Sequence, residues 1–142
     1  MAVVDPLSET KAVALRFLHA CFRKDPDGAV AMLSPTATWW VNGDPALLRV
    51  SGSKTQDQAV RLIYGMKKVL PTGMDHEVIG VTAEGERVAV EVIATAQWVD
   101  GSTYRNRYHF LLRVRDSMIE EVREYMDTLA VANMPGTLVP QE

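Results

Sequence analysis

Apolar positions recur at helical spacing in the first half of the chain and at every second residue in most of the second half. Asp5-Pro6 offers an N-cap residue followed by proline at the first helical position. Val13, Phe17 and Cys21 then form one i, i+4 row, with Ala14, Leu18 and Phe22 as the next. This predicts a helix of about four turns with a wide apolar face. Asp25-Pro26 repeats the start signal and opens a short helix through Leu33, which Ser34-Pro35 ends. Thr36–Asn42, with its paired tryptophans, reads as a strand closed by Gly43-Asp44-Pro45. After a loop to Lys54, Thr55 and Gln58 have capping-box spacing. Ala59, Leu62, Ile63, Met66 and Leu70 give a third amphipathic helix, broken by Pro71-Thr72-Gly73.

Four β-rich runs follow: Met74–Ala83, Arg87–Trp98, Tyr104–Arg115 and Met118–Thr128. The gaps between them, Glu84-Gly85-Glu86, Asp100-Gly101-Ser102 and Asp116-Ser117, are short hairpin connections, so the runs should form an antiparallel meander. Three helices followed by a meander is an α+β layout: a strongly curved, mostly antiparallel, cone-shaped sheet packed against three N-terminal helices. The open end of such a cone is a natural place for a ligand.

Strand alternation sorts the candidate residues into faces. Tyr104, Asn106, Tyr108, Phe110 and Leu112 form the row that should face the helices, because the opposite row contains Arg105, Arg107, His109, Arg113 and Arg115. On the preceding strand, Val88, Val90, Val92, Ala94, Ala96 and Trp98 share one face and Ala89, Glu91, Ile93, Thr95 and Gln97 the other. Periodicity leaves open which of these faces inward. With the mixed row inside, the valine row would be an outward apolar stripe, most simply covered by a second copy of the sheet in a homodimer.

Composition narrows the function classes. The 142 residues are 47% hydrophobic and 23% charged with a net charge of -3, which is an ordinary globular balance. No run of Lys or Arg exceeds two residues, so the chain lacks the positive field that a nucleic acid or an anionic membrane requires. The longest uncharged run, Gly28–Gly43, is interrupted by Ser, Pro and Thr and is short for a bilayer span. A single cysteine and a start without a basic-then-apolar leader suit a cytoplasmic protein. One domain is expected over residues 1–142, with a flexible tail from about residue 135. Serine-hydrolase, Walker and dinucleotide glycine patterns are absent, and His19, His76 and His109 lack ligand spacing, so neither a metal nor a cofactor is expected.

The run Val81-Thr82-Ala83-Glu84-Gly85-Glu86-Arg87-Val88-Ala89-Val90-Glu91 and the segments Asp100–Phe110 and Glu121–Thr128 resemble the SnoaL-like group. That group belongs to the nuclear-transport-factor-2-like superfamily, with ketosteroid isomerases and limonene-epoxide hydrolases. The resemblance implies a cone of sheet and helices, dimeric through the outer sheet face, around a deep apolar pocket. It further implies that Glu91, Ile93, Thr95, Asn106, Tyr108, Val122 and Glu124 face inside, and that Phe17, Trp39, Val41 and Tyr64 line the same cavity. Ile63, Phe110 and Met126 complete the expected substrate-binding set.

The isomerase pattern has its base where this chain carries Val41, and its two oxyanion donors where it carries Phe17 and Tyr108; Tyr64 matches the supporting tyrosine. The epoxide-hydrolase pattern has an Arg and an Asp at positions held here by Glu91 and Ile93, while its last-strand acid persists as Glu124. Its first-strand Tyr and Asn are here Trp39 and Val41. Carboxyls in an apolar cone acquire raised pKa values and can move protons. Glu124 and Glu91 are therefore the acid/base candidates, with Asn106, Tyr64 and Tyr108 as oxyanion donors. The resulting expectation is a cofactor-independent enzyme acting on an apolar, oxygenated molecule of steroid, terpene or polyketide type. The alternatives are a non-catalytic module that binds such a ligand or dimerises, and, more remotely, a protein-interaction scaffold.

Overall fold

A computed structural model describes residues 5–141. Residues 1–4, and with them most of the segment read as lacking a leader, lie outside the described residues, as does residue 142. The expected helices form where their caps place them. Helix α1 (Pro6–Phe22) is capped by Asp5, whose side chain accepts from Leu7 N, and α2 (Pro26–Met32) by Asp25, which accepts from Gly28 N. Strand β1 (Leu33–Val41) follows α2 directly, starting earlier than Ser34-Pro35 suggested. A three-residue strand β2 (Gly52–Lys54) emerges from the expected loop. Both halves of the Thr55/Gln58 capping box form at the start of α3 (Gln56–Val69). The meander comprises β3 (Asp75–Glu84), β4 (Arg87–Gln97), β5 (Thr103–Arg115) and β6 (Met118–Met126). The last strand stops short of Thr128 because Asp127 caps a short helix, α4 (Thr128–Ala132).

The six strands form one sheet in the order β2-β1-β6-β5-β4-β3, with β1 parallel to β6 and the other pairs antiparallel. Ladder irregularities between Leu33 and Thr38, Val78 and Gly80, and Arg113 and Val114 add bends to the sheet. Helix α1 packs across β3 to β6, and α3 packs on β1. Among the described residues no helix is long and apolar enough to cross a membrane.

The ladder between β4 and β5 decides which face is inside. Val92 lies opposite Tyr108, Ala94 opposite Asn106 and Val90 opposite Phe110. Directly opposed residues share a face of the sheet, so the valine row and the tyrosine row must be inside together. Val88, Val90, Val92 and Ala94 are accordingly at most 1% exposed. Glu91, Ile93 and Thr95 lie opposite His109, Arg107 and Arg105 on the outer face, which reverses the expectation that they line the cone. The Glu91 side chain runs over Gly80 on that face. The reason for a dimer contact through Val90, Val92 and Ala94 goes with it, because those side chains are core.

Residues 137–139 pair with the Leu47–Arg49 stretch. Leu138 bridges Leu48, Arg49 N donates to Thr137 O and Val139 N to Leu47 O.

Candidate functional site

Between the concave sheet face, α1, α3 and the C-terminal segment lies a cavity of about 340 Å³, within the usual range of small-molecule sites. Its walls are mostly apolar, from Leu18 and Phe22 of α1, Leu62 and Met66 of α3, Trp39, Phe110 and Met126 of the sheet, and Trp98. The polar groups converge in one region. Glu124 of β6 and the hydroxyls of Tyr104 and Tyr108 of β5 meet there, with Cys21 nearby on α1.

Among the described residues the Glu124 carboxyl accepts one hydrogen bond, from Trp39 Nε1 to its Oε1 at 3.1 Å. The register puts Val41, two residues beyond Trp39, beside Glu124 across the parallel β1–β6 pair. Enclosed by protein elsewhere, Glu124 keeps its accessible surface toward the cavity. Burial pushes its carboxyl up from 4.5 to about 7, while the indole hydrogen bond and the Lys54 ammonium pull in the opposite direction. Lys54 does not close an ion pair with Glu124; it donates instead to the carbonyls of Val50 and Gly52.

Asn106 organises the tyrosines from behind. Its Oδ1 accepts from Arg107 N at 2.8 Å and Asp127 N at 3.0 Å, which fixes the amide orientation. Its Nδ2 therefore donates, to Asp127 O at 3.0 Å and to Tyr104 Oη at 2.8 Å. Tyr104 and Tyr108 share one hydrogen bond at 2.6 Å. Two hydroxyls sharing one bond have one uncommitted O–H proton between them, and both side chains line the cavity. Whichever way the shared bond runs, the pair can present one donor to a ligand. Burial holds both phenols above their ordinary pKa, so they stay protonated donors. Burial, with the charge of Glu124, raises the Cys21 thiol well above its usual range, which leaves it without nucleophilic thiolate.

Five of the expected residues line this cavity: Glu124, Tyr108, Trp39, Phe110 and Met126. Phe17, Val41 and Val122 are buried in the core behind it; Phe17 packs its ring on Trp39 at 5.8 Å. Asn106 is buried behind the two tyrosines rather than in the wall, and Ile63 is buried on the side of α3 that meets Cys21, Phe22 and Pro26, next to the cavity but not in its wall. Tyr64 is 40% exposed and donates its hydroxyl to Asp27, because α3 carries it on the side turned away from the cavity. Glu91, Ile93 and Thr95 are excluded by the register already described. Sequence reasoning missed Tyr104, Trp98, Arg49 and the Pro135–Thr137 rim. Tyr104 alone had a signal, since it shares the alternating row of Tyr108. His76 stacks on Phe22 at 4.8 Å with its Nδ1 buried and unpartnered, outside the cavity. No cluster of three potential metal ligands occurs among the described residues.

Residues 14–133 match the family model described as SnoaL-like domain. The chain belongs to the SnoaL-like family. No curated protein sequence matches it. Solved structures share the SnoaL-like fold at low identity. An NTF2-like protein from Burkholderia xenovorans LB400 is 24% identical, with 89% of this chain and 95% of that one covered at a TM-score of 0.69. A putative SnoaL-like polyketide cyclase from Jannaschia sp. CCS1 is 17% identical, covering 95% and 100% at 0.73. An LEH-like epoxide hydrolase from M. tuberculosis is 17% identical, covering 89% and 88% at 0.73.

Proposed function

We propose that this SnoaL-like protein is a cofactor-independent acid/base enzyme that moves a proton next to a carbonyl in an apolar, oxygenated small molecule. One observation carries the reading: a single carboxyl, poised at about 7, faces an apolar cavity beside a paired tyrosine donor. A base whose pKa lies near working pH combines a useful ionised fraction with sufficient strength. The carboxylate of Glu124 removes a proton from the carbon α to the carbonyl, and the electron pair moves onto the carbonyl oxygen. The free O–H of the Tyr104–Tyr108 pair hydrogen-bonds that oxygen as it becomes an enolate. The protonated Glu124 then returns the proton to carbon, at the same position or a conjugated one. Neighbours named as a polyketide cyclase and an epoxide hydrolase support the apolar, oxygenated class of substrate.

The test uses 2-tetralone, an apolar cyclic ketone with exchangeable α-protons, in deuterated buffer. The native chain should accelerate α-exchange, followed by proton NMR, and Glu124→Gln should abolish the acceleration while 2-tetralone still binds. Binding by the native chain without faster exchange would overturn the reading in favour of a non-catalytic binding module.

A further inference from the structure

We propose that the cavity's ligand is an amphiphilic acid, with its apolar, oxygen-bearing body toward Glu124 and an anionic carboxylate-type end held by Arg49 at the opening. The inference rests on the cavity being the functional site and narrows what it takes.

Among the described residues two charged ones, Arg49 and Glu124, line the cavity, and they lie in contrasting surroundings. Glu124 lies at the enclosed end, surrounded by apolar walls. The exposed lining residues are Arg49, Pro135 and Gly136, which together mark the mouth. The backbone that carries Arg49 is anchored on both sides. Arg49 N donates to Thr137 O at 2.9 Å, and the preceding Leu48 is 5% exposed and bridges Leu138. An anchored backbone spares the cost of ordering the loop when a ligand is received, leaving only the side chain's own rotamers to be fixed.

The Arg49 guanidinium makes no ion pair and no hydrogen bond among the described residues, where Arg115 with Glu86 is the one ion pair. Lys54, the other cation near this region, is occupied by backbone carbonyls. Arg49 is thus the uncommitted cation of the site, and a guanidinium suits a planar carboxylate through paired N–H donors. The orientation follows from charge. An anion driven to the inner end would meet a carboxyl already disfavoured as an ion by desolvation. A carbonyl or hydroxyl oxygen meets the tyrosine donor there at no such cost.

The test compares two probes of nearly equal shape, 2-naphthoate and neutral 2-naphthamide, titrated by fluorescence at low salt and pH 6. The native chain should bind the naphthoate roughly tenfold more tightly, the effect of one partly solvated charge-assisted contact. Added sodium chloride should erode that preference. Arg49→Gln should reduce the preference to within about twofold, and Arg49→Lys should retain part of it. Equal affinities in the native chain, failure of both probes to bind, or equal weakening of both by Arg49→Gln would overturn the proposal. The naphthoate preference and 2-tetralone exchange are separate readouts. If exchange is absent while the preference holds, the chemistry falls and the ligand class stands; the reverse result removes only the ligand class.

Discussion

Trp39 Nε1 donates to Glu124 Oε1 at 3.1 Å, reaching across the parallel β1–β6 pair, the one parallel join in the sheet. This hydrogen bond favours the ionised carboxylate and opposes the desolvation that raises its pKa. Trp39→Phe removes the donor and keeps an aromatic ring against Phe17. The pH midpoint of 2-tetralone exchange, expected near 7 in the native chain, should therefore move upward in this variant. Exchange should rise with pH through that midpoint, because the ionised form is the base. An unchanged midpoint would remove the indole from control of the carboxyl.

Folding stability should carry the same titration with the opposite sign. The folded chain holds the Glu124 proton up to about 7, whereas the ordinary value is 4.5. Between those limits the native state binds more protons than the unfolded state, so stability falls as pH rises. The loss begins above the unfolded value and is complete above the folded one. It amounts to as much as about 3 kcal/mol on the standard conversion of pKa shift to free energy. Urea denaturation between pH 4.5 and 8 measures it, and Glu124→Gln should flatten that part of the curve.

The hydroxyl count predicts unusual additivity. Tyr108→Phe leaves Tyr104 with a free O–H, and Tyr104→Phe leaves Tyr108 with one. Each single variant should lose only about threefold or less in exchange rate, while the double variant should lose about 100-fold, the scale for removing an oxyanion donor and well beyond the product of the single losses. Rate measurements on the three variants decide it. A full loss in either single variant would assign the donor to that tyrosine alone.

Val92→Ala should cost about 2 kcal/mol of stability, since it removes two methyl groups from a site 1% exposed. The apparent mass in solution should be unchanged. A shift in mass without loss of stability would instead place the valine row at an interface between copies.

The local chemistry of this chain was the easiest to read. Asp5, Asp25 and Thr55 cap helices with their own side chains, and the polar gaps at Glu84–Glu86 and Asp100–Ser102 turn hairpins, so neighbours in sequence suffice. The resemblance in the strand segments led to the right family, and Glu124, which it singled out, lies in the cavity wall. The facing of β4 was harder because both of its rows contain apolar residues. The β4–β5 register answers it: Gln97 opposes Thr103, so even-numbered residues of the two strands oppose one another. Placing Glu91 and Tyr108 on one face would have required a slip of one residue. Strand β2 and the Pro135–Thr137 rim had no comparable signal, since their places depend on contacts between segments distant along the chain.

The stitching of residues 137–139 to the Leu47–Arg49 stretch has a consequence for how the protein is handled. A chain cut after Met134 would keep all six strands and every helix described, yet its vestibule would widen into a funnel and Arg49 would lose the carbonyl that steadies its backbone. Selectivity would then fade before stability did.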